Sequence, residues 1–147
     1  MDIFEHLESE HRQVEGMFDQ LLAKGRDEKL FDEFAMSLTV HVKAEEEILY
    51  TRLESDKATR DRIMEAYVEH QVAASLLGDI MKTRDQEQWH AKMSVLKNLV
   101  GFHIQEEEQD LFPQVRGSII PMEEARQLNE KYEQAEEREM RSFKKAA

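Results

Sequence analysis

Cysteine is absent from the chain, and among its 147 residues there are only two prolines, five glycines and one tryptophan. Without cysteine there can be no disulfide, no thiolate zinc site and no iron–sulfur ligation, which fits a reducing compartment. The scarcity of proline and glycine leaves long stretches in which nothing interrupts a helix. Positive charge is also short: 20 Lys and Arg face 32 Asp and Glu, for a formal net charge of −12. Such a surface repels phosphate backbones and anionic lipid, so neither nucleic acid nor a membrane is an expected partner. No apolar run reaches the length needed to cross a bilayer. The start, Met1-Asp2-Ile3-Phe4-Glu5, is acidic where a secretory leader would be basic. The expected location is cytoplasmic.

What the chain does have is Glu, Lys, Gln, Leu, Met and Ala, the residues of helices, with 40% apolar residues to fill one core. Apolar residues recur at spacings of three and four, the mark of a buried helix face. The first such segment, about 2–23, carries Phe4, Leu7, Val14, Phe18 and Leu21 and is closed by Gly25. The second, about 27–53, carries Leu30, Phe34, Leu38 and Ile48. The third, about 57–83, carries Ile63, Tyr67, Leu77 and Met81, with Asp56 placed to cap it. The fourth, about 86–112, follows a cap at Asp85, carries Trp89, Met93, Leu96 and Val100, and ends at Pro113. After Gly117, Pro121-Met122-Glu123-Glu124 reads as a further helix start. Its narrow stripe of Ala125, Leu128, Tyr132 and Ala135 should lie against the bundle or against a second copy of the chain. Residues 144–147 should fray. The predicted fold is all-α: an antiparallel up-down four-helix bundle over residues 1–115, with an additional C-terminal helix in 116–147.

Each of the four bundle stripes is broken by a histidine: His11, His41, His70 and His103. Two of these open matching decapeptides, His41-Val42-Lys43-Ala44-Glu45-Glu46-Glu47-Ile48-Leu49-Tyr50 and His103-Ile104-Gln105-Glu106-Glu107-Glu108-Gln109-Asp110-Leu111-Phe112. His11 and His70 each follow a Glu. The halves thus read as two copies of a helix pair. On a helix, residues four apart share a face, so His41 with Glu45 and His103 with Glu107 each aim an imidazole and a carboxylate at one place. Counting back from each turn at about 1.5 Å per residue brings all four histidines to roughly one level of the core. Burying that many titratable groups with nothing to satisfy them would cost several kcal/mol, so a metal is expected between the helices. Six donors exceed what one tetrahedral zinc uses. Two metals bridged by two glutamates, each metal with two histidines, fit better, and iron accepts this donor set.

The pattern of a His, an H-x-x-x-E, a His and a second H-x-x-x-E on successive helices resembles the hemerythrin-like HHE cation-binding domain. It falls on His11, His41, Glu45, His70, His103 and Glu107, and the resemblance covers about residues 4–115. It implies a four-helix bundle holding two non-haem irons with a bridging oxo or hydroxo group. It implies a small partner, either a diatomic or a peroxide. Oxygen-carrying members have a fifth histidine four residues after the third-helix His, where this chain has Ala74, and an Asp five residues after the last His, where it has Glu108. These departures lean away from reversible oxygen carriage and toward the branches that handle nitric oxide, peroxide or iron. The expected function is binding of, or reaction with, dioxygen, nitric oxide or hydrogen peroxide; catalase-like turnover and an iron-responsive sensor or store both stay open. Tyr67, one turn before His70, is the candidate to bond an oxygen species in the centre. Asp110, one turn beyond Glu107, is expected near solvent. Glu46, Glu47, Glu106 and Glu108 are expected to be solvated, and His6 and His90 to be surface residues.

Overall fold

Aspartates begin three of the helices. Asp2 accepts a hydrogen bond from the Glu5 amide (2.9 Å), Asp27 from Leu30 (3.1 Å) and Asp85 from Gln88 (2.9 Å), each satisfying an amide that has no partner in the first helical turn. The computed structural model describes residues 1–146. Helix α1 (Ile3–Lys24) ends at Gly25, whose φ of 83° lies in the left-handed region that other residues avoid. Helix α2 (Glu28–Glu45) continues through a π-helical turn, Glu46–Tyr50, and a last α-turn, Thr51–Glu54. Helix α3 spans Arg60–Lys82. Helix α4 (Gln86–Glu106) repeats the form of α2, with a π-helical turn at Glu107–Leu111 and a last turn at Phe112–Val115. Helix α5 spans Met122–Ala146. The fraying expected of 144–147 does not reach Ala146, and Ala147 lies outside the described residues.

Asp56 does not cap α3. Its carboxylate accepts from the Ala58 amide (2.9 Å) within the turn, and the helix starts later, after Thr59, whose hydroxyl donates to the Leu53 carbonyl (2.8 Å). The fold is all-helical, with the four bundle helices joined antiparallel by short connections, and no helix among the described residues is long and apolar enough to cross a membrane. Helix α5 lies along α1 and α2 and buries Ala125, Leu128, Tyr132 and Ala135, the stripe legible in the sequence.

Apolar side chains fill the bundle in two clusters. One holds Phe4, Leu7, Leu49, Ile63, Leu111 and Phe112, with Leu128 and Tyr132 from α5. The other holds Phe18, Phe34, Leu77, Trp89, Met93 and Leu96. Between them lies a layer of buried polar residues: His11, His41, Glu45, His70, His103 and Glu107. The clusters hold the helices in register, and that register makes the polar layer a single site.

Candidate metal centre

All six sequence-predicted residues meet in this layer, and each is at most 8% exposed. The His11 and His41 rings pair with centroids 5.1 Å apart, and the His70 and His103 rings pair at 4.6 Å. The two glutamates link the pairs. Glu107 brings Oε1 to 3.3 Å from His11 Nε2 and Oε2 to 3.2 Å from His103 Nε2. Glu45 brings Oε1 to 3.3 Å from His70 Nε2 and 3.7 Å from His41 Nε2. Two donor groups result, Glu45, His70, His103 and Glu107 on one side and His11, His41 and Glu45 on the other, each with its ligand atoms within 4.8 Å of one another.

Each ring is fixed from behind by a carboxylate. His11 Nδ1–H donates to Glu108 (2.6 Å), His41 to Glu10 (2.9 Å), His70 to Glu46 (2.9 Å) and His103 to Glu69 (2.5 Å). A carboxylate only accepts, so the proton sits on Nδ1 and the Nε2 lone pair turns inward. This arrangement orients metal-binding histidines and raises their basicity. It also obeys the internal repeat: the Glu before each first-half or second-half histidine (Glu10, Glu69) serves the next helix, and the Glu after each central glutamate (Glu46, Glu108) serves its neighbour. Glu46 and Glu108 are therefore not solvated as expected, because each spends an oxygen on a histidine. Glu47 does face solvent, paired with Arg138, whereas Glu106 is part-buried like Glu46 and lies near Arg62.

The hydroxyl in the centre belongs to Tyr50, not Tyr67. Tyr50 is fully buried, donates to Glu107 Oε2 (2.5 Å), and sits 3.1 Å from His103 Nε2 and 3.3 Å from His70 Nε2. Tyr67 stands behind it, half-buried, with its ring edge-on to Tyr50 at 5.4 Å. The counterpart of Tyr50 in the repeat is Phe112, whose ring stacks at 8° on His11 as Tyr50 stacks at 21° on His70. The two sides of the centre thus differ by one hydroxyl. Asp110 is exposed and paired with Arg62 (2.6 Å), away from the layer. His90 is exposed as expected, but His6 is half-buried among Glu10, Glu136 and Asn129.

Four atoms in the layer are buried with no hydrogen-bond partner: His11 Nε2, both oxygens of Glu45 and Glu107 Oε1. All are acceptors or lone-pair donors pointing at one another, a set that a cation satisfies and that a purely structural core would not keep. The electrostatics agree. Burial pushes His11 down, but Glu107, Glu45 and Glu108 outweigh it and hold it up at about 9. His70 and His103 are raised in the same way, against burial, by Glu45 and Glu46 and by Glu107 and Glu69. Burial and the facing Glu107 charge push the Glu45 carboxyl up. Burial also works to raise Glu107, but His103 and His11 hold it well below the usual carboxylate range. The carboxylates thus favour positive charge at the rings, the same sense in which they would favour a bound cation.

Above the layer is a cavity of about 30 Å³, walled by Val14, Leu38, Ala73, Val100 and Ile104, with the four histidines at its base. Ala74, where oxygen carriers have a histidine, is exposed; its neighbour Ala73 is the residue that lines the cavity.

Comparison with known proteins agrees with this geometry. A relative named DNA nickase, from Nostoc sp., is 28% identical over 123 residues. The match takes in 81% of this chain but only 35% of that protein, so the chain spans about a third of the relative's length. The crystal structure of a hemerythrin HHE cation-binding domain-containing protein from Mycobacterium kansasii superposes with a TM-score of 0.79, over 97% of this chain and 89% of that one, at 23% identity, and so shares the fold. The family described as the hemerythrin HHE cation binding domain matches residues 2–115, the four bundle helices with all six converging residues. The chain belongs to the hemerythrin HHE cation-binding family.

Proposed function

We propose that the chain holds two non-haem irons, one at His11 and His41 and one at His70 and His103, with Glu45 and Glu107 reaching both. We further propose that this centre binds or reacts with a small oxidant: dioxygen, nitric oxide or hydrogen peroxide. The observation that carries the reading is the group of partnerless buried atoms on His11, Glu45 and Glu107, enclosed by four rings whose outer nitrogens are all anchored. Four imidazoles and two carboxylates suit iron. A pair of irons held there would supply electron transfer.

The chain's own residues supply position, polarity and selection. The carboxylates behind the rings fix which nitrogen faces inward. The Tyr50 hydroxyl, whose single O–H goes to Glu107, would donate to a group beside His70 and His103 only by leaving that carboxylate, and otherwise can accept from such a group. Phe112 offers no such donor beside His11, so the two sides of the centre differ in that hydroxyl. A cavity of about 30 Å³ beside the four histidines has room for a molecule about the size of water or a diatomic. That size supports a small oxidant as the partner.

Metal analysis with an optical spectrum of the oxidised protein tests the first half of the proposal. About two irons per chain, with at least one lost in His70→Ala, is the expected result; one zinc, no metal, or full retention of both irons in His70→Ala would overturn it. Assays with peroxide, nitric oxide and dioxygen test the second half. Sustained peroxide consumption marks an enzyme, and binding without turnover marks a sensor or store. The second reading, an iron-responsive regulator, draws on Tyr132 of α5, which donates to Glu10 Oε1 (2.5 Å), the same oxygen that anchors His41. Loss of helix on chelation would favour it. The net charge of −12 opposes binding to a phosphate backbone, so the DNA cleavage named for the Nostoc protein is not proposed for this chain.

A further inference from the structure

A second group of metal-ligating side chains lies outside the buried layer, where α1 meets α5. His6 Nε2 is 3.3 Å from Glu10 Oε2 and 3.2 Å from Glu136 Oε1, and the three ligand atoms lie within 4.8 Å of one another. Two observations mark this as more than a surface ion pair. The first is the orientation of the ring. Asn129, 6% exposed, gives its Nδ2 to Glu133 (3.2 Å), which turns its Oδ1 toward His6 Nδ1 (2.8 Å). A carbonyl oxygen only accepts, so Nδ1 carries the proton and the Nε2 position points at the two carboxylates. This is the same device that sets the four histidines of the centre, repeated with an amide in place of a carboxylate. The second is the pair of acids. Glu10 and Glu136 each bring one oxygen within 4.8 Å of the other's and within 3.3 Å of His6 Nε2, so two carboxylates from different helices converge on a single ring nitrogen. Glu10 cannot turn away, because its other oxygen is held by Tyr132 and by His41 Nδ1–H. A pocket of about 150 Å³ opens on the far side of the two carboxylates from His6, lined by Glu10 and Glu136 but not by His6, and gives water access to their oxygens.

We infer that His6, Glu10 and Glu136 form an outer binding site for one divalent transition-metal ion, held by one imidazole nitrogen and two carboxylate oxygens with water completing the shell. The donor set suits Mn²⁺, Fe²⁺ or Zn²⁺, and the imidazole disfavours Mg²⁺ and Ca²⁺. Glu10 serves two sites at once: one oxygen faces the outer ion, and the other fixes a histidine of the inner centre.

The test is Mn²⁺ titration of the protein as isolated, with its resident metal, followed by the loss of the free-ion electron paramagnetic resonance signal. Wild type should take up one equivalent that excess Mg²⁺ fails to displace. Glu136→Gln, which keeps shape and removes one charge, should weaken that uptake at least tenfold, and His6→Ala should abolish it. Neither residue touches the inner ligands, so both variants should keep the wild-type inner metal content and spectrum. The comparison between wild type and variants counts only the outer ion, whatever the inner centre holds. Unchanged Mn²⁺ uptake in both variants, or displacement by equimolar Mg²⁺, would overturn the assignment.

Discussion

Tyr50 and Phe112 occupy the same place in the two repeats, and the difference between them is one oxygen atom. That oxygen donates to a buried carboxylate, an interaction worth about 1.5–3 kcal/mol when one partner is charged. Tyr50→Phe should therefore destabilise the metal-free protein by about that amount in a denaturant melt. If the hydroxyl acts on bound oxidant, peroxide or nitric oxide reactivity should fall while iron content stays at the wild-type level. Tyr67→Phe, one ring further out, should change stability by less than about 0.5 kcal/mol and leave reactivity alone. The carboxylates behind the histidines give a second contrast. Glu46 anchors His70 and Glu47 meets only Arg138 at the surface. Glu46→Ala should weaken metal retention against a chelator about tenfold to a hundredfold, and Glu47→Ala should leave it unchanged. The six central residues were legible because each sits in an apolar stripe where a polar group has no other business. The anchors were not, because they sit on the flank of that stripe, where a glutamate is ordinarily solvated. Only the repeated Glu-His pairs and the repeated double Glu hinted at them.

At the scale of the element, the two π-helical turns explain why Tyr50 escaped notice. Nine residues at about 100° each place Tyr50 about 180° from His41 on a regular helix, on the outer face. The wide turn at Glu46–Tyr50 takes up one extra residue and swings the tyrosine inward, and the turn at Glu107–Leu111 does the same for Phe112. Sequence periodicity assumes a constant turn, so it loses the face at the position where the helix changes pitch. Helix α5, with no such break, was read correctly from its stripe alone. Its grip on the bundle rests on small and aromatic residues, with Ala125, Tyr132 and Ala135 wholly buried. Ala135→Glu would force a charge into that seam. It should cost several kcal/mol in a urea melt, whereas Gln134→Glu on the exposed face should be neutral.

Over the whole molecule, the twofold repeat in the bundle is broken by α5, which covers α1 and α2 and leaves α3 and α4 uncovered. The cover also brings charge: Glu136 of α5 completes the group around His6. In the metal-free protein that group makes stability depend on pH in one direction. Glu10 and Glu136 raise His6 to about 10, above the ordinary histidine value of 6.5, so its contribution is full below about 6.5 and is lost as pH rises through about 10. Burial and the neighbouring Glu10 raise Glu136 to about 7, so the stability tied to its proton is present below about 4.5 and is lost as pH rises through about 7. Both act in the same sense, and the junction of α1 with α5 should loosen between pH 7 and 10. Midpoints of urea unfolding for the metal-free protein should fall across that range, and His6→Ala should flatten the upper part of the fall. A divalent ion held by the same three residues replaces the proton, so saturating Mn²⁺ should raise the pH 9 midpoint further in wild type than in His6→Ala, where it can fill only the inner centre. A wild-type midpoint that holds steady from pH 7 to 10 without metal would mean that α5 is secured by its apolar seam alone.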